Sequence, residues 1–381
     1  MTKQIYISVT NDIVTDQRVN KVARTILSSG VSVALVGRIR KGSSPIGTNP
    51  FKIKRFRMVF NRGALFYACF NFRLFFYLLF RKMDLLLAND LDTLPANYLV
   101  SRIKRIPLVY DSHEYFTGVP ELQDRKIVKG IWKWIEKRIF PNLKYIYTVS
   151  QSIADLYKEE YNREVKVVRN LSTGWKSVNK PSRSELGIAA GKRILILQGS
   201  GINIERGAEE AVEAMLYVEN VILLIIGEGD VIDQLKKSVD QMDLRGKVLF
   251  LNKMTYAKLL EYTSLGDVGL TLDKDTNLNY RYSLPNKLFD YIQARVPVLA
   301  SKLVEVEKII RNYEIGELID SHEPKHIAEK INFMLDSEDK RREWKKNLEQ
   351  AAEELCWENE EGKLIEIFEN AGLTFENKSK I

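Results

Sequence analysis

Arg206, Lys253, Lys287 and Asp290 are of types that could together hold a diphosphate, although they lie far apart in the chain. Lys287 and Asp290 fall within Tyr282-Ser283-Leu284-Pro285-Asn286-Lys287-Leu288-Phe289-Asp290-Tyr291, which reads as a short helix. Ser283 can accept from the first free N–H groups, and Pro285 suits a first turn, where its missing donor costs nothing. Pro297 keeps Val296 out of helical geometry, so the helix is expected to stop near Ala294. Val298-Leu299-Ala300 then reads as a buried strand. Lys287 is the odd residue, because a cation in the first turn opposes the helix dipole by about 0.3–1 kcal/mol. An anion bound at the helix mouth, beside the N–H groups near Leu284, Pro285 and Asn286, would account for it. Asp290 lies one turn further on the same side, where a carboxylate can accept from two neighbouring ribose hydroxyls. The competing reading is a capped surface helix with Lys287 and Asp290 in solvent.

A second anion candidate is Gln198-Gly199-Ser200-Gly201-Ile202-Asn203-Ile204-Glu205-Arg206-Gly207, after a strand and before a helix (208–215). Gly199 and Gly201 let backbone approach a ligand, and Arg206 can chelate phosphate oxygens. The spacing is not G-x-G-x-x-G and no Walker lysine follows, which argues against dinucleotide and P-loop sites. An ordinary strand-to-helix turn is the alternative. Gly227-Glu228-Gly229 and Asn252-Lys253 end two further strands. In a parallel sheet such strand ends open on one crevice, so Arg206, Lys253, Lys287 and Asp290 are expected to converge.

The N-terminal half carries a matching edge with Asn11-Asp12, Asn89-Asp90-Leu91-Asp92 and Asp111-Ser112-His113-Glu114. His113 is one of three histidines, and its position allows it to face a cleft; a loop histidine bonded to nearby backbone is the alternative. Asp90-x-Asp92 and Asp273-x-Asp275 are carboxylate pairs without a third ligand, so no metal site is expected.

The elements needed to position these residues are legible. Ile5–Val9, a helix over 17–29 and Val31–Val36 form a strand–helix–strand unit, which argues for a parallel sheet. Strands follow at 85–88, 108–110, 145–149 and 165–168. The segment 171–192 loses periodicity and reads as a linker. A second α/β series has strands at 194–197, 221–226, 248–251, 268–272 and 298–300, and the tail from about 337 to 371 is helical. The 381 residues suit two domains, and 45% hydrophobic with 28% charged residues is ordinary for a soluble globular chain. Cys69 and Cys356 make no metal or redox pattern. The opening MTKQIYISVTNDIVTD has no long apolar run, so no signal peptide is expected and the cytosol is the expected compartment.

Residues 1–170 hold 29 Lys and Arg against 14 Asp and Glu, and the rest of the chain is net acidic. Only the first half therefore suits an anionic partner. Within it, residues 64–80 form an aromatic helix of 17 residues containing Asn71 and Arg73, with cations on both flanks. That is too short and too polar to span a bilayer. A core helix with cations outward is the favoured reading; peripheral contact with anionic lipid at the inner face of the membrane is the other.

The run 283–291, with Pro297-Val298-Leu299-Ala300-Ser301, resembles the donor-site motif of family 4 glycosyltransferases. Tyr110-Asp111-Ser112-His113-Glu114 and Val149-Ser150-Gln151-Ser152 resemble the N-terminal half of that family. The resemblance covers nearly the whole chain. It implies an α/β GT-B fold of two Rossmann-like parallel-sheet domains facing across a cleft. The domains are expected at 1–172 for the acceptor and 173–355 for the nucleotide sugar, with 356–381 crossing back to the first. It further implies retaining transfer from a UDP- or GDP-linked sugar to a glycan or lipid-linked acceptor, with no cofactor and no essential metal. By position, Asp290 matches the ribose-holding second acid of the E-x7-E pattern, Arg206-Gly207 the phosphate-binding pair, and His113 the histidine near the transferred sugar. Catalytic roles then fall to His113, Arg206 and Lys287. Donor contacts fall to Gly199, Gly201, Gly227, Lys253, Ser283, Leu284, Pro285, Asn286 and Asp290, and acceptor contacts to Asp12, Arg18, Asn89 and Asp90. Tyr282 stands where the first acid belongs. Ser200 or Ile202 stands where an arginine often follows the strand-ending glycine, which places more weight on Lys287. Competing readings are a nucleotide-sugar epimerase of the same fold, a metal-dependent transferase using Asp90 and Asp92, and a non-catalytic nucleotide-sugar-binding protein. A nucleic-acid binder is disfavoured, since no recognised motif accompanies the basic half.

Overall fold

The structure is a computed structural model and describes residues 2–375 apart from 15, 44, 120, 121, 124 and 177–180. The parts of the expected linker at 177–180 and of the expected terminal segment at 376–381 lie outside the described residues. The chain forms two compact units, Met1–Arg169 together with the chain from Glu360 on, and Asn170–Asn359.

The first unit runs β1 (Gln4–Ser8), α1 (Gln17–Ser28), β2 (Ser32–Ile39), β3 (Lys52–Arg57), α2 (Gly63–Leu79), β4 (Leu85–Asn89) and α3 (Leu94–Lys104). It continues with β5 (Leu108–Ser112), α4 (Lys126–Ile139), β6 (Tyr145–Thr148), α5 (Gln151–Tyr161) and β7 (Lys166–Val167). The strands pair in parallel in the order β3-β2-β1-β4-β5-β6-β7. Strands β4 and β5 are buried at every position, which explains their unbroken apolar starts. Strand β3 is not apparent in the sequence. Its run Lys52-Ile53-Lys54-Arg55-Phe56-Arg57 is an edge strand, where cations are tolerated and block further pairing.

The second unit runs β8 (Arg193–Gly199), α6 (Ala208–Ala214), β9 (Val221–Gly227), α7 (Ile232–Gln241), β10 (Val248–Leu251), α8 (Tyr256–Thr263) and β11 (Val268–Thr271). Next come α9 (Leu278–Arg281), α10 (Asn286–Gln293), β12 (Val298–Ser301), α11 (Val304–Tyr313), β13 (Gly316–Ile319), α12 (Pro324–Asp336) and α13 (Glu338–Glu354). Helix α14 (Trp357–Asn370) closes the described chain. The six strands are parallel, in the order β10-β9-β8-β11-β12-β13. Successive residues of β8 feed opposite cores, Leu195 and Leu197 one and Ile194 and Ile196 the other. Both sheets are thus α/β and Rossmann-like. The strand order reverses between β1 and β4 in one sheet and between β8 and β11 in the other, and crevices for ligands form outside such reversals.

Helix α10 is largely enclosed near the second reversal. Leu288 through Gln293 are all buried, and the Tyr291 hydroxyl lies 3.1 Å from the carbonyls of both Ile196 and Leu270. One face of α10 is polar and binds the segment that enters the unit. Asn170 Nδ2 donates to Asn286 Oδ1 at 2.9 Å, Ser172 Oγ to Asp290 Oδ1 at 2.7 Å, and Trp175 N to Gln293 Oε1 at 3.2 Å. The segment that leaves the unit is tied to the same strap: Trp357 N donates to Ser172 O at 2.9 Å, and Gly174 N to Glu358 Oε2 at 3.0 Å.

Candidate active site

Three charged side chains meet where β8 and β11 end. Asp273 follows β11 and is fully buried. Its Oδ1 lies 3.3 Å from Arg206 Nη1 and its Oδ2 lies 3.4 Å from Lys287 Nζ. Arg206 comes from the loop after β8 and Lys287 from the first turn of α10, so one carboxylate gathers two cations from distant stretches. With Lys287 protonated, the two cations outweigh Asp273 by one charge. Lys287 is only 11% exposed, and burial lowers its pKa, the neighbouring Arg206 adding to this and Asp273 opposing it. The Arg206 guanidinium lies 4.5 Å from the Tyr280 ring centroid, and its Nε is buried with no hydrogen-bond partner among the described residues. No described side chain caps the N-terminus of α10. Two cations, an unused N–H and an uncapped helix start at a strand-order reversal make an anion site of the kind that suits a diphosphate.

The loop geometry explains two glycines. Gly207 sits at φ +72°, and a Cβ there would lie 2.2 Å from Leu272 O, so only glycine lets Arg206 come up beside β11. Gly227 has φ +135°, and a Cβ would lie 1.8 Å from Gly199 O. Gly199 and Gly201 face nothing closer than ordinary contact, from Ile202 and Asn203.

Other expectations are corrected. Ser283 does not cap α10: its Oγ donates to Tyr280 O at 2.9 Å, closing the short α9, which Asn277 caps instead. Pro285 itself takes the N-cap position, and α10 ends at Gln293, as Pro297 requires. Lys253 does not join Arg206 and Lys287. It lies beyond β10, three strand positions or roughly 14 Å from β11, with Nζ 3.7 Å from the Glu228 carboxylate. Asp290 is buried, and its oxygens accept from Ser172 Oγ and Tyr256 OH at 2.7 Å and from Gln198 Nε2 at 2.9 Å. These three donors anchor α10 to the strap, to β8 and to α8.

The first unit presents its own cluster beside its reversal. His113 Nδ1 lies 2.6 Å from Asp90 Oδ2, with 35% of the imidazole side chain exposed. Burial alone would lower this imidazole, but the Asp90 carboxylate outweighs it and lifts the pKa to about 10. Asp90 adopts φ +58°, and its amide donates to Asp111 O at 2.8 Å, which fixes the carboxylate towards His113. Arg18 donates Nε to Asp111 Oδ2 at 3.1 Å, with a second contact from Nη2 to Oδ1, and Tyr147 OH donates to Oδ2 at 2.9 Å. Asp12 is buried against Arg55 at 3.3 Å, and Asn89 is buried with Nδ2 donating to Ser8 O at 3.0 Å. Arg18 and Asn89 thus hold the unit together instead of lying open to an acceptor. The carboxylate pairs are equally engaged: Asp92 accepts from Thr10 at 2.5 Å, and Asp275 from Arg281 Nε at 2.9 Å.

A raised histidine pKa means that the bound proton stabilises the fold. That contribution is complete below pH 6.5 and is lost as pH rises through about 10. In Asp90→Asn, burial and Arg18 outweigh the small contribution of Glu114, and the midpoint is expected below 6.5. Imidazole NMR shifts across pH 5 to 11 measure it; an unmoved midpoint would show that Asp90 does not hold the proton.

The glycosyl transferases group 1 family profile matches residues 180–351, and the glycosyltransferase family 4 profile matches 17–171. The chain belongs to the family 4, group 1 glycosyltransferases. No curated protein matches it by sequence. Among solved structures, a sucrose-phosphate synthase from Thermosynechococcus elongatus is 16% identical, with a TM-score of 0.81 over 97% of this chain and 99% of that one. The Anabaena Alr3699/HepE complex with UDP-glucose is 14% identical, with a TM-score of 0.76 over 96% and 99%. WaaG, a glycosyltransferase involved in lipopolysaccharide biosynthesis, is 14% identical, with a TM-score of 0.74 over 96% and 99%. These likenesses fit the GT-B fold.

The roles of three groups in this transferase are not legible in the sequence. Asp273 drew attention only as half of a metal pair, although its place two residues after β11 puts it beside the β8 loop. Asp111, in the run Asp111-Ser112-His113-Glu114 at the end of β5, collects Arg18 and Tyr147. Tyr256 begins α8 and reaches Asp290. Aspartates at the ends of apolar strands were the available signal; Tyr256 had none.

Proposed function

We propose that this chain moves a sugar from a nucleotide diphosphate donor, UDP- or GDP-linked, to a glycan or lipid-linked acceptor, with retention of anomeric configuration and without a resident metal. The observation that carries the reading is the sharing of Asp273 by Arg206 and Lys287 at the uncapped start of α10. UDP and UDP-glucose in the Anabaena HepE structures support a nucleotide-sugar donor.

In the proposed reaction the bond from the sugar's C1 to the donor phosphate oxygen breaks and its electron pair goes to the diphosphate. Arg206, Lys287 and the first N–H groups of α10 stabilise the charge that builds there. The acceptor hydroxyl bonds to C1 from the same face and gives its proton to the departing phosphate oxygen, so no side-chain base is required. His113 suits this scheme as a donor to a sugar hydroxyl, because Asp90 keeps it protonated and a charged imidazole is no base.

Calorimetry with UDP, GDP and their hexose conjugates tests the first half, with heat expected from one base series. Anomeric NMR couplings of the product test the second, with donor and product sharing configuration. Inversion would overturn retention, an epimerised donor in the absence of acceptor would favour an epimerase, and loss of activity in chelator would restore a metal. Nucleotide binding without turnover on any glycan or lipid-linked acceptor would reduce the chain to a binding protein.

A further inference from the structure

Most of the large hydrophobic side chains exposed among the described residues lie between 59 and 134, on or beside α2, α3 and α4. Helix α2 is apolar on two sides. Phe66, Phe70, Leu74 and Leu78 face the core at four-residue spacing, whereas Leu65, Phe72 and Phe76 are 60%, 65% and 43% exposed. A helix that is apolar all round is ordinarily covered all round. No described residue covers this second stripe. Helix α4 repeats the pattern with Ile127, Ile131 and Trp134, spaced as one helical face and 52% to 81% exposed. Helix α3 packs against both and adds Leu99 and Ile103. Tyr67 of α2 meets Trp132 of α4 edge-to-face at 5.2 Å, so the three helices form one surface.

The charges on this surface are of one sign. Every charged residue of α2, α3 and α4 is lysine or arginine except Glu136, which is fully buried with its Oε2 2.9 Å from Lys133 Nζ. A second copy of the chain on this face would set cations against cations, which is unfavourable. The occupant should be apolar within and anionic at its rim. No helix among the described residues is long and apolar enough to cross a membrane, so a surface mode of contact remains.

We propose that the outer face of α2, α3 and α4 docks this chain on an anionic lipid bilayer, with the aromatic and aliphatic stripes in the headgroup boundary and the cations against lipid phosphates. This deepens the transferase reading by favouring a lipid-linked acceptor, but docking itself does not depend on that reading.

The full chain is floated with vesicles of phosphatidylcholine alone or mixed with phosphatidylglycerol, at low and high salt. Flotation is expected with the mixed vesicles, with release by salt and little binding to the neutral ones. The double variant Phe72→Ser, Phe76→Ser should lower the bound fraction about tenfold or more, while its thermal melt and its heat with nucleoside diphosphates stay as in the parent. Trp134 emission should shift to the blue on vesicle addition, a change absent in Trp134→Phe. No flotation at low salt, or equal flotation of parent and double variant, would overturn the proposal. So would a concentration-dependent dimer that the double variant abolishes, because a second copy would then cover the face. Lost docking with intact nucleotide heat leaves the transferase reading in place, and docking without nucleotide heat removes that reading alone.

Discussion

Lys287→Ala is expected to lower turnover about a hundredfold, in line with the loss of one donor aimed at developing charge. The expectation rests on the placement of the ammonium. It is nearly buried in the first turn of α10, against the helix dipole, and shares Asp273 with Arg206. Charge on the diphosphate grows as the sugar leaves, so the loss should fall on kcat more than on the donor's KM. The variant should fold, since its removal relieves the opposition to the dipole and Asp273 keeps Arg206. Lys287→Arg should recover only part of the rate, because a planar fork does not reproduce a compact ammonium. Steady-state transfer and donor hydrolysis measure both; parent rates in Lys287→Ala would mean that the residue is merely structural.

Asp273→Ala should have the largest effect on stability, a loss of about 3 kcal/mol, the lower end for removing one member of a buried charge group. The lower end applies because Arg206 is 30% exposed and can recover some water, whereas Lys287 cannot. Denaturant unfolding gives the value. The variant also makes a positive prediction: two cations left without their counter-charge should be stabilised by inorganic pyrophosphate or a nucleoside diphosphate more than the parent is. A variant as stable as the parent, or one gaining nothing extra from pyrophosphate, would remove Asp273 from the centre of the site.

The parallel sheets were readable because central strands such as β4, β5 and β9 are continuous apolar runs bounded by polar turns. Strand β3 was not, because an edge position lets cations alternate along it. At α10 the cap rules misled by one element. Pro285 and Pro297 bounded the helix, but Ser283 belongs to the end of α9, a four-residue helix with too little periodicity to be seen. The position of Asp290 on α10 was legible, yet its partners Ser172 and Gln198 lie 118 and 92 residues away. No local pattern announces a hydrogen bond over that separation. Asp273 illustrates the same limit, since a carboxylate's meaning depends on which loops the sheet order brings to it.

The polar face of α10 has a consequence for recombining such enzymes. Because Asn286, Asp290 and Gln293 bind Asn170, Ser172 and Trp175, the strap is an integral part of the second unit. A hybrid exchanging this unit between chains should therefore be spliced ahead of Asn170 and rejoined after Asn359, so that strap and helix travel as one cassette. A splice a few residues later would pair a foreign strap with the native helix and leave Asp290 short of a donor.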